Sequence, residues 1–84
     1  MVYMDRNLVR VKWIDSVSID AWTAPEDIER KSLTNCETVG FLIHKDKKRI
    51  IVSSTIGLNS KDEIEEVSCT MVIPCSCIIE IKDL

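Results

Sequence analysis

From Leu8 to Asp15 apolar and charged residues alternate, with Val9, Val11 and Trp13 on one face and Arg10 and Lys12 on the other. A period of two marks a half-buried strand, so the pattern predicts a first strand over 8–15. Thr38–His44 is an apolar run centred on Val39, Phe41 and Ile43, and Arg49–Ile56 is rich in β-branched residues. These two segments read as a hairpin. Its tip, Lys45–Lys48, is short and polar but lacks the Asn-Gly or Asp-Gly pair that fixes a turn type. Gly57 marks a break, and the polar stretch Asn59–Glu66 reads as a loop or a short helical turn. Val67–Ile73 and Cys75–Ile81 are two further β-type segments separated by Pro74. Proline cannot donate to a ladder, so it signals a bend, a bulge or an edge. Between the first strand and the hairpin, Thr23-Ala-Pro-Glu26 has capping-box spacing with proline in the first turn, followed by Asp27 and Glu29. That arrangement predicts one short helix over Pro25–Lys31.

Strands without a βαβ rhythm define a mainly β chain: a small, strongly bent antiparallel sheet or barrel of about five strands with one short helix. The length, 84 residues, fits a single domain spanning 1–84. A core this small supplies little stability, and small folds gain the rest by association, so a homo-oligomer is expected. Gly and Pro number two each, which argues against disorder.

The net charge of −3 disfavours sequence-independent binding of DNA or RNA, which draws on a basic surplus. Charge is unevenly placed all the same. Residues 1–13 and 45–49 are basic, whereas 15–37 and 61–66 are net acidic, which leaves room for a local cationic patch. No apolar run approaches the roughly 18 residues that span a bilayer, and the start has no basic-then-apolar leader. The expectation is a cytoplasmic protein with no membrane partner, in which Cys36, Cys69, Cys75 and Cys77 stay reduced.

Candidate chemistry is sparse. The single histidine, His44, lies beside Lys45 at a hairpin end and reads as a surface residue rather than a general base. Cys75 and Cys77, one residue apart on an expected strand, lack the usual knuckle spacing of zinc ligands and read as small packed hydrophobes or interface thiols. Neither Gly40 nor Gly57 sits in a phosphate-binding loop. The expectation is no enzyme, no metal and no cofactor. Recognition groups remain: Trp13, Trp22 and Tyr3 for stacking, Arg10, Lys12, Lys48 and Arg49 for phosphate or carboxylate, and Asp15 and Glu26 for hydroxyls or amines. Each has a plainer reading. Trp13 alternates with Val9 and Val11 and so reads first as core. Trp22 is either a staple at the helix entry or an exposed wall of a pocket. The basic run 44–49 suits a solvated hairpin tip.

The segments Val11-Lys-Trp13-Ile-Asp15-Ser16, Trp22 with Glu26, Thr38-Val-Gly40-Phe-Leu, Ile73-Pro74 and Ile78-Ile-Glu-Ile81 with Leu84 resemble a widespread set of short bacteriophage proteins. The order of the strands and the small size are also similar to Sm-like and SH3-like barrels, although the acidic balance departs from their RNA-binding members. The phage resemblance implies a counter-defence role, such as an oligomeric sponge that sequesters a nucleotide signal of bacterial immunity. The expected partners are thus a small nucleotide-type ligand and further copies of the chain. The alternatives are a module that inhibits a host protein and an Sm-like RNA binder.

Overall fold

The computed structural model describes residues 6–84, so Tyr3 lies outside the described residues. The elements run β1 (Leu8–Asp15), α1 (Pro25–Ile28), β2 (Thr34–Lys45), β3 (Arg49–Leu58), β4 (Ile64–Pro74), a 3₁₀ turn (Cys75–Cys77) and β5 (Ile78–Asp83). The five strands form one antiparallel sheet in the order β4-β3-β2-β1-β5. The fold is therefore mainly β, with a bent but unclosed sheet. Bending is visible where the Thr38 hydroxyl on β2 reaches Met71 Sδ on β4 at 3.6 Å, across the intervening β3.

The concave face holds Val9, Val11, Ile50, Val52 and Ile73, all buried, with Trp13, Leu42, Ile78, Ile81, Cys75 and Cys77 packed around them. Alternation in β1 puts its apolar half on this face, as the pattern predicts. Long β2 is shared: its first part pairs with β1 from Thr34 to Phe41, and its last part with β3 from Phe41 to Lys45. At the change of neighbours sits buried Gly40, where an added Cβ would lie 2.7 Å from the Ser53 carbonyl oxygen.

Several expected boundaries shift. β2 begins at Thr34 because residues 34–37 complete the ladder with the second half of β1. β3 runs through Gly57, which lies next to a register shift rather than ending the strand. β4 starts at Ile64, since the turn before it is tightened by Asn59, whose Oδ1 accepts from the backbone N–H groups of Lys61 and Glu63. Pro74 is tolerated because β4 is an edge strand.

Two expectations are corrected. The capping box is not formed: the cap residue is Ala24, no side chain caps the helix, and the Thr23 hydroxyl donates to the Ala21 carbonyl instead. Pro25 sets the first turn one residue later than Thr23 needs. The segment Cys75–Ile81 is not one strand, because Cys75–Cys77 is a 3₁₀ turn. The chain must cross there from β4 at one edge to β5 at the other, and Cys75 N–H anchors the crossing on the Lys48 carbonyl at 2.9 Å. The two thiols are thus not strand neighbours on a common face.

The molecule is elongated, 58 × 23 × 21 Å, with a radius of gyration of 16.7 Å, against about 12 Å for a compact chain of this length. Parts that project beyond the core account for this. β3 beyond Ser53 has β4 as its sole ladder partner, and residues 15–35, including the whole β1–β2 connection and α1, are exposed throughout.

Candidate functional site

Two adjoining cavities flank the end of β1. The larger, about 400 Å³ and mostly apolar, is lined by Ile14, Asp15, Leu33, Cys77, Ile78 and Ile79, with Ser16 and Ser76 at its margin. The smaller, about 250 Å³, is lined by Lys12, Trp13, Asn35, Cys36, Glu37 and Ile79. Ile79 belongs to both, and its position has a structural cause. Lys12 pairs with Glu80 and Trp13 with Ile78, so the register shift leaves Ile79 as the extra residue of a bulge. Bulges re-aim side chains at sheet edges, and this one puts an exposed isoleucine between the two hollows.

Trp13 is held rigidly. Its Nε1–H donates to the Thr38 hydroxyl at 3.0 Å, while the ring packs against the core cluster. The core reading of Trp13 therefore stands, and the same ring also walls the smaller cavity. Arg10 and Lys12, two residues apart, share a side of β1. Arg10 Nε forms an ion pair with Glu37 Oε1 at 3.6 Å, beyond hydrogen-bond reach, and is shielded from water without a hydrogen-bond partner. Lys82 stands opposite Arg10, and Glu80 and Glu37 flank Lys12 on the neighbouring strands. The surroundings of Lys12 are thus mixed in sign, able to meet both phosphate and hydroxyl groups.

Of the residues singled out in the sequence, Lys12, Trp13 and Asp15 are brought together at the two cavities, with Arg10 beside Lys12. Lys48 and Arg49 are not part of either cavity. They lie at the β2–β3 tip, where Asp46 organises the turn: its Oδ1 accepts from the backbone N–H groups of Lys48 and Arg49, and its Oδ2 lies 2.8 Å from His44 Nε2. Trp22 and Glu26 lie in the exposed connection, outside both cavities, and Trp22 is fully exposed. It is no staple in the described chain. Sequence reading passed over Asn35, Cys36, Glu37 and Ile79. The first three lie on a part of β2 that is held in the ladder by β1, so local propensity gives little sign of them. The bulge at Ile79 left no sequence signal.

The Asp46 carboxyl is held down at about 2, chiefly by its hydrogen bond with His44 and then by the two backbone donors. A depressed carboxyl stabilises the fold above its ordinary range and loses that contribution as pH falls toward 2. Asp46→Asn should therefore lower the melting temperature at pH 7, and the gap from the parent protein should narrow progressively from pH 4 to pH 2. Thermal melts across that range check it; a gap unchanged down to pH 2 would show that the carboxylate charge contributes nothing.

Among the described residues no group of His, Cys, Asp and Glu side chains is placed to hold a metal, and no helix is long and apolar enough to cross a membrane. All four cysteines are free thiols. Comparison of the chain with protein-family models, curated proteins and solved structures gave no significant match.

Proposed function

We propose that this protein is a non-enzymatic, homo-oligomeric binder that captures a small nucleotide-type signal in the host cytoplasm without cleaving it, as the resemblance to short bacteriophage proteins implies. The observation that carries the reading is the meeting of Lys12, Trp13 and Asp15 around two cavities that share Ile79. Lys12, with Arg10 beside it, offers cations to phosphate; Asp15 and Glu37 offer acceptors to ribose hydroxyls; the apolar walls suit a base.

Size also supports association. The smaller cavity holds about 250 Å³, below the roughly 300–1,000 Å³ of complete ligand sites. A second copy closing over it supplies the missing wall. The test is a thermal-shift screen against cyclic dinucleotides, cyclic trinucleotides and cyclic ADP-ribose isomers, followed by calorimetry and by chromatography of the released ligand. One compound should raise the melting temperature and be recovered intact. Lys12→Ala should weaken it ~10–100-fold, the loss of a charge-assisted hydrogen bond, while Lys48→Ala leaves affinity unchanged. A ligand recovered chemically altered overturns sequestration, and equal losses from the two variants move the site to the hairpin tip.

A second reading, a module that inhibits a host protein, is favoured by one observation: the connection after β1 exposes Val17, Ile19, Trp22 and Ile28. Pull-down from host lysate with the wild-type chain and with Trp22→Ala separates the two readings. A sponge retains no host protein, whereas an inhibitor retains one that Trp22→Ala loses.

A further inference from the structure

The connection between β1 and β2 is costly to order and buries nothing. Every residue from 16 to 33 is exposed, α1 has no buried residue, and Val17, Ile19, Trp22, Ile28 and Leu33 all present apolar surface to water. Fixing a backbone costs roughly 1–2 kcal/mol per residue, and an arm without buried contacts has nothing in its own protomer to offset that. The same chain carries an apolar cavity of about 400 Å³ that is empty of side chains and sits at the root of this arm, between Ile14 and Leu33 at its two ends and Cys77, Ile78 and Ile79 of the crossing. Plug and socket are on one molecule, yet Trp22 stands clear of its own socket.

We propose that the occupant of the cavity is Trp22 of a second copy, and that two chains exchange their β1–β2 arms about a two-fold axis beside Ile79. The proposal takes up the homo-oligomer half of the functional reading and is independent of the ligand's identity. Three features converge on a second copy rather than another partner. The socket borders the arm's own root, so when one arm enters a neighbour's socket, the neighbour's arm is brought to the first socket; such a contact is reciprocal and closes. An indole is the largest apolar side chain available, with roughly 150–250 Å² to bury, and the lining of the socket is mostly apolar. Finally, residues 16–33 with the socket wall make up about the number of residues found on one side of a stable interface, roughly 20–30.

The exchange has a consequence for the smaller cavity. Ile79 borders both hollows, so an inserted Trp22 lies across that ridge from Lys12 and Trp13 and completes the wall that a single protomer lacks. Trp22, and Glu26 in the helix after it, thereby reach the site from the partner rather than from their own chain.

Sedimentation equilibrium and tryptophan emission, read on the full chain over a dilution series, test the exchange. The wild-type protein should have twice the protomer mass at micromolar concentration, and its emission should move to longer wavelength on dilution as Trp22 is released into water. Trp22→Ala should have the protomer mass. Trp22 touches no core residue, so the variant's circular dichroism should still report a folded sheet; Trp22→Phe, which keeps an aromatic plug, should recover part of the dimer. A wild-type dimer that Trp22→Ala leaves intact overturns the exchange while leaving the homo-oligomer reading standing. A wild-type chain that is a monomer at every concentration overturns both, and an emission unaffected by dilution of a dissociating dimer places Trp22 outside the interface.

Discussion

Gly40→Ala should leave the protein largely unfolded at 37 °C, with a loss of roughly 3 kcal/mol or more, above the usual 1–3 kcal/mol of overpacking. The reason is local and rigid. The added Cβ would meet the Ser53 carbonyl oxygen and Val52 Cγ1, each at 2.7 Å. A clash with a flexible side-chain end relaxes cheaply, but here one of the two atoms belongs to the backbone of β3. Relief requires β2 and β3 to move apart where β2 exchanges β1 for β3 as its partner. Val52 is itself in the buried cluster, so it has no free volume to retreat into. Gly57→Ala provides the contrast. Its Cβ would meet Glu66 Cγ at 2.8 Å, and Glu66 is an exposed side chain that can swing away. Chemical denaturation of the two variants should show a large loss at position 40 and a change within about 1 kcal/mol at position 57. Equal losses at the two positions would mean that close backbone approach at Gly40 does not limit the fold.

The strands that follow a clean period of two were legible in the sequence, and those set by pairing partners were not. β1 is bounded as its alternation predicts, because Val9 and Val11 face the core and charged residues face out. The start of β2 was missed because Asn35 and Glu37 are poor strand formers that are held in the ladder by Ile14 and Lys12 of β1. The 3₁₀ turn at Cys75–Cys77 was read as strand because Cys75, Ile78 and Ile79 are β-type residues; what bends the chain there is the need to pass from one sheet edge to the other, a global requirement that no local propensity encodes. The helix was foreseen through Pro25, but its length was overestimated: the turn ends at Ile28, because no apolar face exists in residues 25–31 to bury a second turn.

The candidate site divides along the same line. Lys12, Trp13 and Asp15 lie within one four-residue stretch of β1, so local reading already groups them, and the fold adds Glu37 and Ile79 through cross-strand neighbours. Lys48 and Arg49 were grouped with them by charge alone. In the fold the backbone of Lys48 and Arg49 is engaged with Asp46 and with the anchor of the 3₁₀ turn, away from both cavities. Trp22 posed the alternative between staple and pocket wall, and its complete exposure removes the staple; the arm exchange proposed above assigns it to a second chain, which lies beyond what one protomer's sequence pattern can express.

Ile73→Ala should cost about 2–5 kcal/mol, whereas Val72→Ala, one residue earlier in β4, should stay within about 0.5 kcal/mol. The residues are chemically close, and orientation separates them. Ile73 is 0% exposed in the central cluster and pairs with Ile50, itself fully buried, while Val72 is 54% exposed on the opposite face. The loss at Ile73 combines the transfer of its side chain with the cavity left among Val9, Val11, Ile50 and Val52, and it falls on an edge strand whose neighbour β3 is its sole ladder partner. In a chain this short the total stability is of the same order, so Ile73→Ala should unfold a substantial fraction of the protein at 25 °C. Urea melts of the two single variants decide the matter. Comparable losses at 72 and 73 would mean that the convex face of β4 is buried against another chain, and the interface would then have to extend from the arm root across the sheet to its far edge.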